Sequence, residues 1–184
     1  MKVKYNAPVV LTFTLTCLII VILSFFIPGI QVLFSCPGRT TFDSSSILDY
    51  LRLFLHIFGH ADLNHFLSNF AFILLLGPIL EASYGKGLLM LMGMTTALVT
   101  GILNVLLFNT GLMGASGIVF MMILLISFTN ISKGEIPLTF ILIVVIYLGR
   151  EIVNAFQTNS VSEFAHIIGG ICGSIFGYLR PAKS

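Results

Sequence analysis

A serine set among small residues, Gly114-Ala115-Ser116-Gly117, sits where a polar loop gives way to an apolar helix. Its hydroxyl is open there to a second backbone, and the first amides of the helix point toward any anion formed beside it. Taken alone, the four residues read equally well as a helix cap and a tight turn. A histidine inside an apolar helix is a stronger sign of a site, because a polar ring in that setting has to be held by something. His166, in Ala165-His166-Ile167-Ile168-Gly169, is such a residue. Gly169, Gly173 and Gly177 recur at a spacing of four and form one smooth face that another helix can approach closely, with His166 near it. If that other helix is the one opening at Ser116, a neutral imidazole can take the hydroxyl proton and make the serine a nucleophile.

A third cluster is His60-Ala61-Asp62-Leu63-Asn64-His65-Phe66-Leu67-Ser68-Asn69. His65 and Asn69 lie four apart, on one helix face. Both can donate hydrogen bonds to a developing oxyanion alongside the Ser116 amide, and both can also serve as polar contacts between helices. The carboxylates Asp49, Asp62, Glu81, Glu135, Glu151 and Glu163 all fall near loops or helix ends, and burying one in a membrane is expensive. A Ser-His dyad is therefore expected rather than a triad. A zinc site on His56, His60 and His65 is disfavoured: His65 would stand about 140° around a continuous helix from His60. No H-E-x-x-H is present either. Neither a metal nor a cofactor is expected.

The elements that must position these residues are helices in lipid. Of 184 residues, 57% are hydrophobic and only 9% charged, where a soluble domain carries about a quarter. With a mean hydropathy of +1.07 the chain has too little polar surface to coat a soluble globule. The net charge of +2, without a basic stripe, argues against nucleic acid as a partner. Cys17, Cys36 and Cys172 are far apart and read as buried or free thiols.

Charges, Pro and Gly divide the chain, one domain over 1–184, into six apolar spans near 8–27, 63–82, 88–108, 115–129, 137–156 and 162–179. The first span is long enough to be a retained helix rather than a signal segment. The long connection 28–61 contains an amphipathic stretch, Ile47 to Phe58, suited to the interface and not to spanning. The fourth span, from Ser116, has about 14 residues, roughly 20 Å at helical rise. A hydrocarbon core is about 30 Å thick. Its outer end must then lie below the surface, with the Asn109–Ala115 loop dipping into the protein to meet it. Irregular backbone at that depth survives only where protein covers it or water reaches it. The basic residues place both termini on the cytoplasmic side. No inverted repeat supports a transporter.

G-x-S-G opening a short fourth helix, A-H-x-x-G-x-x-x-G on the sixth and H-x-x-x-x-H-x-x-x-N opening the second together resemble the rhomboid family. The likeness is to its bacterial GlpG type reduced to the six-helix core, and it covers essentially the whole chain. It implies an all-α integral membrane protein, a six-transmembrane-helix bundle with a short central fourth helix and a membrane-embedded loop between helices 1 and 2. It implies a serine endopeptidase with Ser116 as nucleophile and His166 as general base. His65 and Asn69 would then be the oxyanion side chains, with Gly114 and Ala115 in the loop that frames them. Phe120 stands where the family often has a tyrosine packed on the histidine. Glu81 and Gly85 match a structural E-x-x-x-G element. Leu51-Arg52 replaces the family's Trp-Arg pair, so only the arginine carries over. Gln157–Ser162 resembles a mobile cap, with the fifth helix beside a lateral entry. The partners implied are transmembrane-helix protein substrates and the lipid bilayer. The location implied is a bacterial inner membrane, with the site opening to the periplasmic side. Relatives that have lost activity would be expected to lack the serine or the histidine; both are present.

Overall fold

In lipid every backbone polar group must be paired within the protein, and helices do this locally. The computed structural model describes residues 3–131, 138, 141, 142, 145, 146 and 161–180, and its regular elements are helical. Helix α1 (Pro8–Ser24) opens with a proline, which costs no amide at that position. The next two amides, of Val9 and Val10, donate to the Glu81 carboxylate at 3.3 and 3.1 Å. The helix stops at Ser24, short of the expected Ile27, because Pro28 disfavours a helical Ile27. Gly29, at φ 81°, then turns the chain into a 3-10 turn, Ile30–Phe34.

The amphipathic stretch forms α2 (Ile47–Leu55), capped by Ser46, and tightens into a 3-10 turn at His56–Phe58. Nine residues cannot span a bilayer, as its pattern implied. Arg52 fastens it: Nε donates to the Ser35 carbonyl at 2.6 Å, and the guanidinium pairs with Asp49 at 2.7 Å.

Helices α3 (Leu63–Tyr84) and α4 (Lys86–Leu107) have 22 residues each and are long and apolar enough to cross a membrane. Asp62 caps α3 by accepting the His65 amide at 2.8 Å. The turn between the two helices is Gly85 alone, at φ 82°, so α3 runs past its expected end at 82 and α4 starts before 88. Helix α5 (Ser116–Ile131) has 16 residues, about 24 Å at helical rise. Helix α6 (Val161–Leu179) is the sixth expected span. Of the expected fifth span, 137–156, Leu138, Ile141, Leu142, Val145 and Ile146 are described; they are helical and form one exposed apolar stripe. The rest of that span and the polar loop 157–160 lie outside the described residues.

Helix α5 is buried on every side. All residues from Ile118 to Leu125 are buried, which makes it the axis of the bundle. The outer helices leave Leu15, Ile19, Leu74 and Leu75 exposed, as a lipid-facing surface requires. Helix α6 lies closest to the axis: a Cβ at Gly169 would run into the Gly117 carbonyl, and one at Gly173 into that of Met121. The three cysteines are buried thiols.

Candidate active site

The loop between α4 and α5 enters the protein, and each stage of it is held. Cys36 and Leu112 exchange a pair of backbone hydrogen bonds at 2.8 and 2.9 Å, and the Arg39 amide donates to the Phe108 carbonyl at 2.7 Å. Asn104 bridges the two strands of this contact, giving its amide protons to the Pro37 and Thr110 carbonyls at 3.1 and 3.2 Å. Deeper in, the Gly114 amide donates to the His56 carbonyl at 2.9 Å and the Ala115 amide to His60 Nε2 at 3.4 Å. The loop predicted to need cover thus receives it from the first connection. Its last two amides are spent on these braces, and the amides of Ser116, Gly117 and Ile118 come before the first intrahelical bond, from Val119 to the Ala115 carbonyl.

His56 and His60 are the residues that sequence reasoning missed in this role. His56 Nε2 donates to the Ala97 carbonyl at 3.1 Å, with the Thr100 hydroxyl at 3.4 Å. His60 packs edge-on against His65 and Phe70, at 5.1 and 5.6 Å between ring centroids. Its Nε2 accepts, so its proton sits on Nδ1. The first histidine of the H-x-x-x-x-H spacing was the available signal for His60; the His56 carbonyl had none. The two rings reach different partners, and among the described residues no three His, Cys, Asp or Glu groups converge on a metal position.

Burial holds His56 at a pKa of about 4, against a partial rise from its bond to Ala97, and burial also holds His60 near 4, helped by His65. The unfolded chain, with histidines near 6.5, binds more protons than the folded one between these values. Stability is therefore full above pH 6.5 and is lost as pH falls toward 4. The melting temperature in detergent is expected to drop steadily from pH 7 to pH 4.5; a flat profile would contradict the two buried neutral rings.

Ser116 is half-buried at the first position of α5. One turn later Phe120 lies flat on the ring of His166, at 4.4 Å between centroids and 8° between planes. The Gly117 backbone packs between Ala165 and Gly169, the residues that flank His166. The α5–α6 contact thus stacks Phe120 on His166, and Ser116 opens the turn that precedes Phe120. His65 closes the opposite side: its ring would lie 2.6 Å from a Cβ on Gly114, whose φ of 130° also selects glycine. Asn69, one turn beyond His65, is buried, and its Nδ2 has no hydrogen-bond partner among the described residues. Ala115 is fully buried between these groups.

The described acids of this set lie at helix ends or on the short α2, and Asp49, Glu81 and Glu163 are buried. Asp49 pairs with Arg52, Asp62 caps α3 and Glu81 caps α1. Glu163 lies in the first turn of α6, buried, one turn before His166. Glu135 and Glu151 lie outside the described residues.

The rhomboid domain model matches residues 48–183. The chain is also similar to rhomboid-related protein 1 of Caenorhabditis elegans, at 32% identity over 159 residues. The chain belongs to the rhomboid family. This rhomboid is therefore a membrane-embedded member of a family of intramembrane proteases. The similarity covers 79% of the chain and 44% of the length of its relative, so the chain spans less than half of that protein. The matched region begins within α2 and includes every residue of the rhomboid's candidate site, from His65 to His166.

Proposed function

We propose that this rhomboid is an active serine endopeptidase that hydrolyses peptide bonds in or near transmembrane segments of membrane proteins. The observation that carries the reading is the flat contact of His166 on Phe120, one turn from Ser116. It supports a fixed imidazole beside the hydroxyl at a helix start whose amides are unspent.

In this reading His166 takes the proton from Ser116 Oγ as the oxygen attacks the scissile carbonyl. The negative oxygen is met by the Ser116 amide, Asn69 Nδ2 and His65, while Gly114 and Ala115 frame the pocket with their own amides turned away. His166 passes the proton to the leaving amine. Water, deprotonated by the same ring, then releases the acyl group. The dyad needs no metal or cofactor. A helical substrate has its carbonyls already bonded, so it must unwind locally, which favours small or helix-breaking residues near the cut.

Six spans with both termini in the cytoplasm fit the distribution of basic residues, and a bacterial inner membrane is the location that the resemblance implies. The cavity then opens to the periplasmic side, and substrate enters sideways from lipid past the fifth span and the 157–162 segment.

Labelling with a serine-reactive fluorophosphonate in detergent tests the reading. Wild type should label, Ser116→Ala should not, and His166→Ala should label only weakly. Absence of label in wild type, together with no cleavage of a transmembrane model substrate, would overturn it in favour of an inactive binder of membrane helices.

A further inference from the structure

Between α1, α4 and α5 the structure leaves a cavity of about 540 Å³ that belongs to no part of the site above. That volume lies within the range of about 300–1,000 Å³ typical of small-ligand pockets. Its lining is almost wholly apolar, and Lys86 is the one charged side chain among the lining residues described. Lys86 and Pro8, at the starts of α4 and α1, mark one end; Thr16 and Met94 mark the other. From Lys86 to Met94 is about 12 Å of helical rise. The Lys86 side chain is exposed and forms no ion pair among the described residues. Glu81, near the end of α3, is committed to the amides of Val9 and Val10.

We propose that this cavity is a binding site for an anionic phospholipid, with one acyl chain in the slot and the phosphate on Lys86. An apolar slot running inward from an unpaired cation at a helix start is complementary to a single lipid chain under a negative headgroup. A zwitterionic lipid carries its own ammonium beside the phosphate and brings no net negative charge to the cation. The proposal rests on membrane embedding and not on the proposed protease activity.

Its back wall gives the site a regulatory consequence. Ile118, Met121 and Met122 of α5 line the cavity within two turns of Ser116. Ile57 and Phe58 line it as well, and they lie between His56 and His60, whose carbonyl and ring hold the Gly114 and Ala115 amides. A chain in the slot therefore packs against both supports of the Ser116 loop. An empty slot leaves both with a void on one side.

The test uses the full chain in phosphatidylcholine vesicles containing a trace of phosphatidylglycerol with a diazirine on its acyl chain. After irradiation, adducts are mapped by peptide mass spectrometry. They are expected to concentrate on Met90, Met94 and Met121 over the exposed Leu74 and Leu75 of α3. Lys86→Glu should lower the cavity adducts by about fivefold or more. Gly93→Leu should also lower them: Gly93 lines the slot, and a Cβ there meets no atom within 4 Å, so the side chain fills the cavity without disturbing the helices. A diazirine phosphatidylcholine should label the cavity no more than Leu74 and Leu75. Equal adducts at cavity and α3 for both lipids, or cavity adducts unchanged in both variants, would overturn the proposal. The readout needs no catalysis, so a rhomboid without protease activity would still pass or fail it.

Discussion

Ser116→Ala is expected to lower the rate of cleavage of a transmembrane substrate by about 10⁴-fold or more, because no other group in the site can form the acyl intermediate. The fold should tolerate the change. Ser116 is half-buried at the first position of α5, and alanine is a good helix former, so the melting temperature should barely move. His166→Ala should lose activity to a similar degree, since nucleophile and base act as a unit, but it also removes the ring stacked on Phe120 and should melt earlier. His166→Phe separates the two effects. It keeps an aromatic ring on Phe120 and has no base, so it should be as inactive as alanine yet closer to wild type in melting temperature. Substantial cleavage by His166→Phe would show that the proton goes elsewhere.

The second large effect lies in the glycines of α6. Gly169→Val places a side chain against the Gly117 carbonyl, and that obstacle is backbone of the helix that carries Ser116. The two helices can only move apart. Overpacking of this kind costs about 1–3 kcal/mol, and a shift of about 1 Å between reacting groups can cost about 100-fold in rate. Gly169→Val is therefore expected to lower both stability and cleavage rate. Gly87→Ala on α4 is the control, since its Cβ meets no atom within 4 Å. There the lower entropy of the unfolded chain should stabilise by about 0.4–1 kcal/mol. Unaltered cleavage by Gly169→Val would mean that the close approach of α6 to α5 at Gly169 is not needed for cleavage.

Spacing alone made several features legible. The glycines of α6 announced a close helix contact beside His166. The interval from His65 to Asn69 put both on one face, and the fourth span was marked as shorter than the second and third. Each is a property of a helix in lipid, where period and length are fixed by geometry and can be read from residue types. Composition marked α1, α3, α4, α5 and α6 in the same way, and the amphipathic stretch at 47–58 was recognisable as a helix that does not span.

What holds the Ser116 loop could not be read so. The Cys36–Leu112 pairing and the Gly114 bond to the His56 carbonyl join backbone groups far apart in sequence, and any residue offers the same amide and carbonyl. Glu81 reaches Val10 across 71 positions, so its role as a cap for α1 appears only when the two helices are side by side. Arg52 was marked by resemblance, but its grip on the Ser35 carbonyl needed the folded loop. Residue types and their periods thus determined which helices form and which faces carry the chemical groups. The hold on the Ser116 loop was decided by tertiary structure, because it depends on backbone hydrogen bonds that leave no mark in the amino-acid sequence.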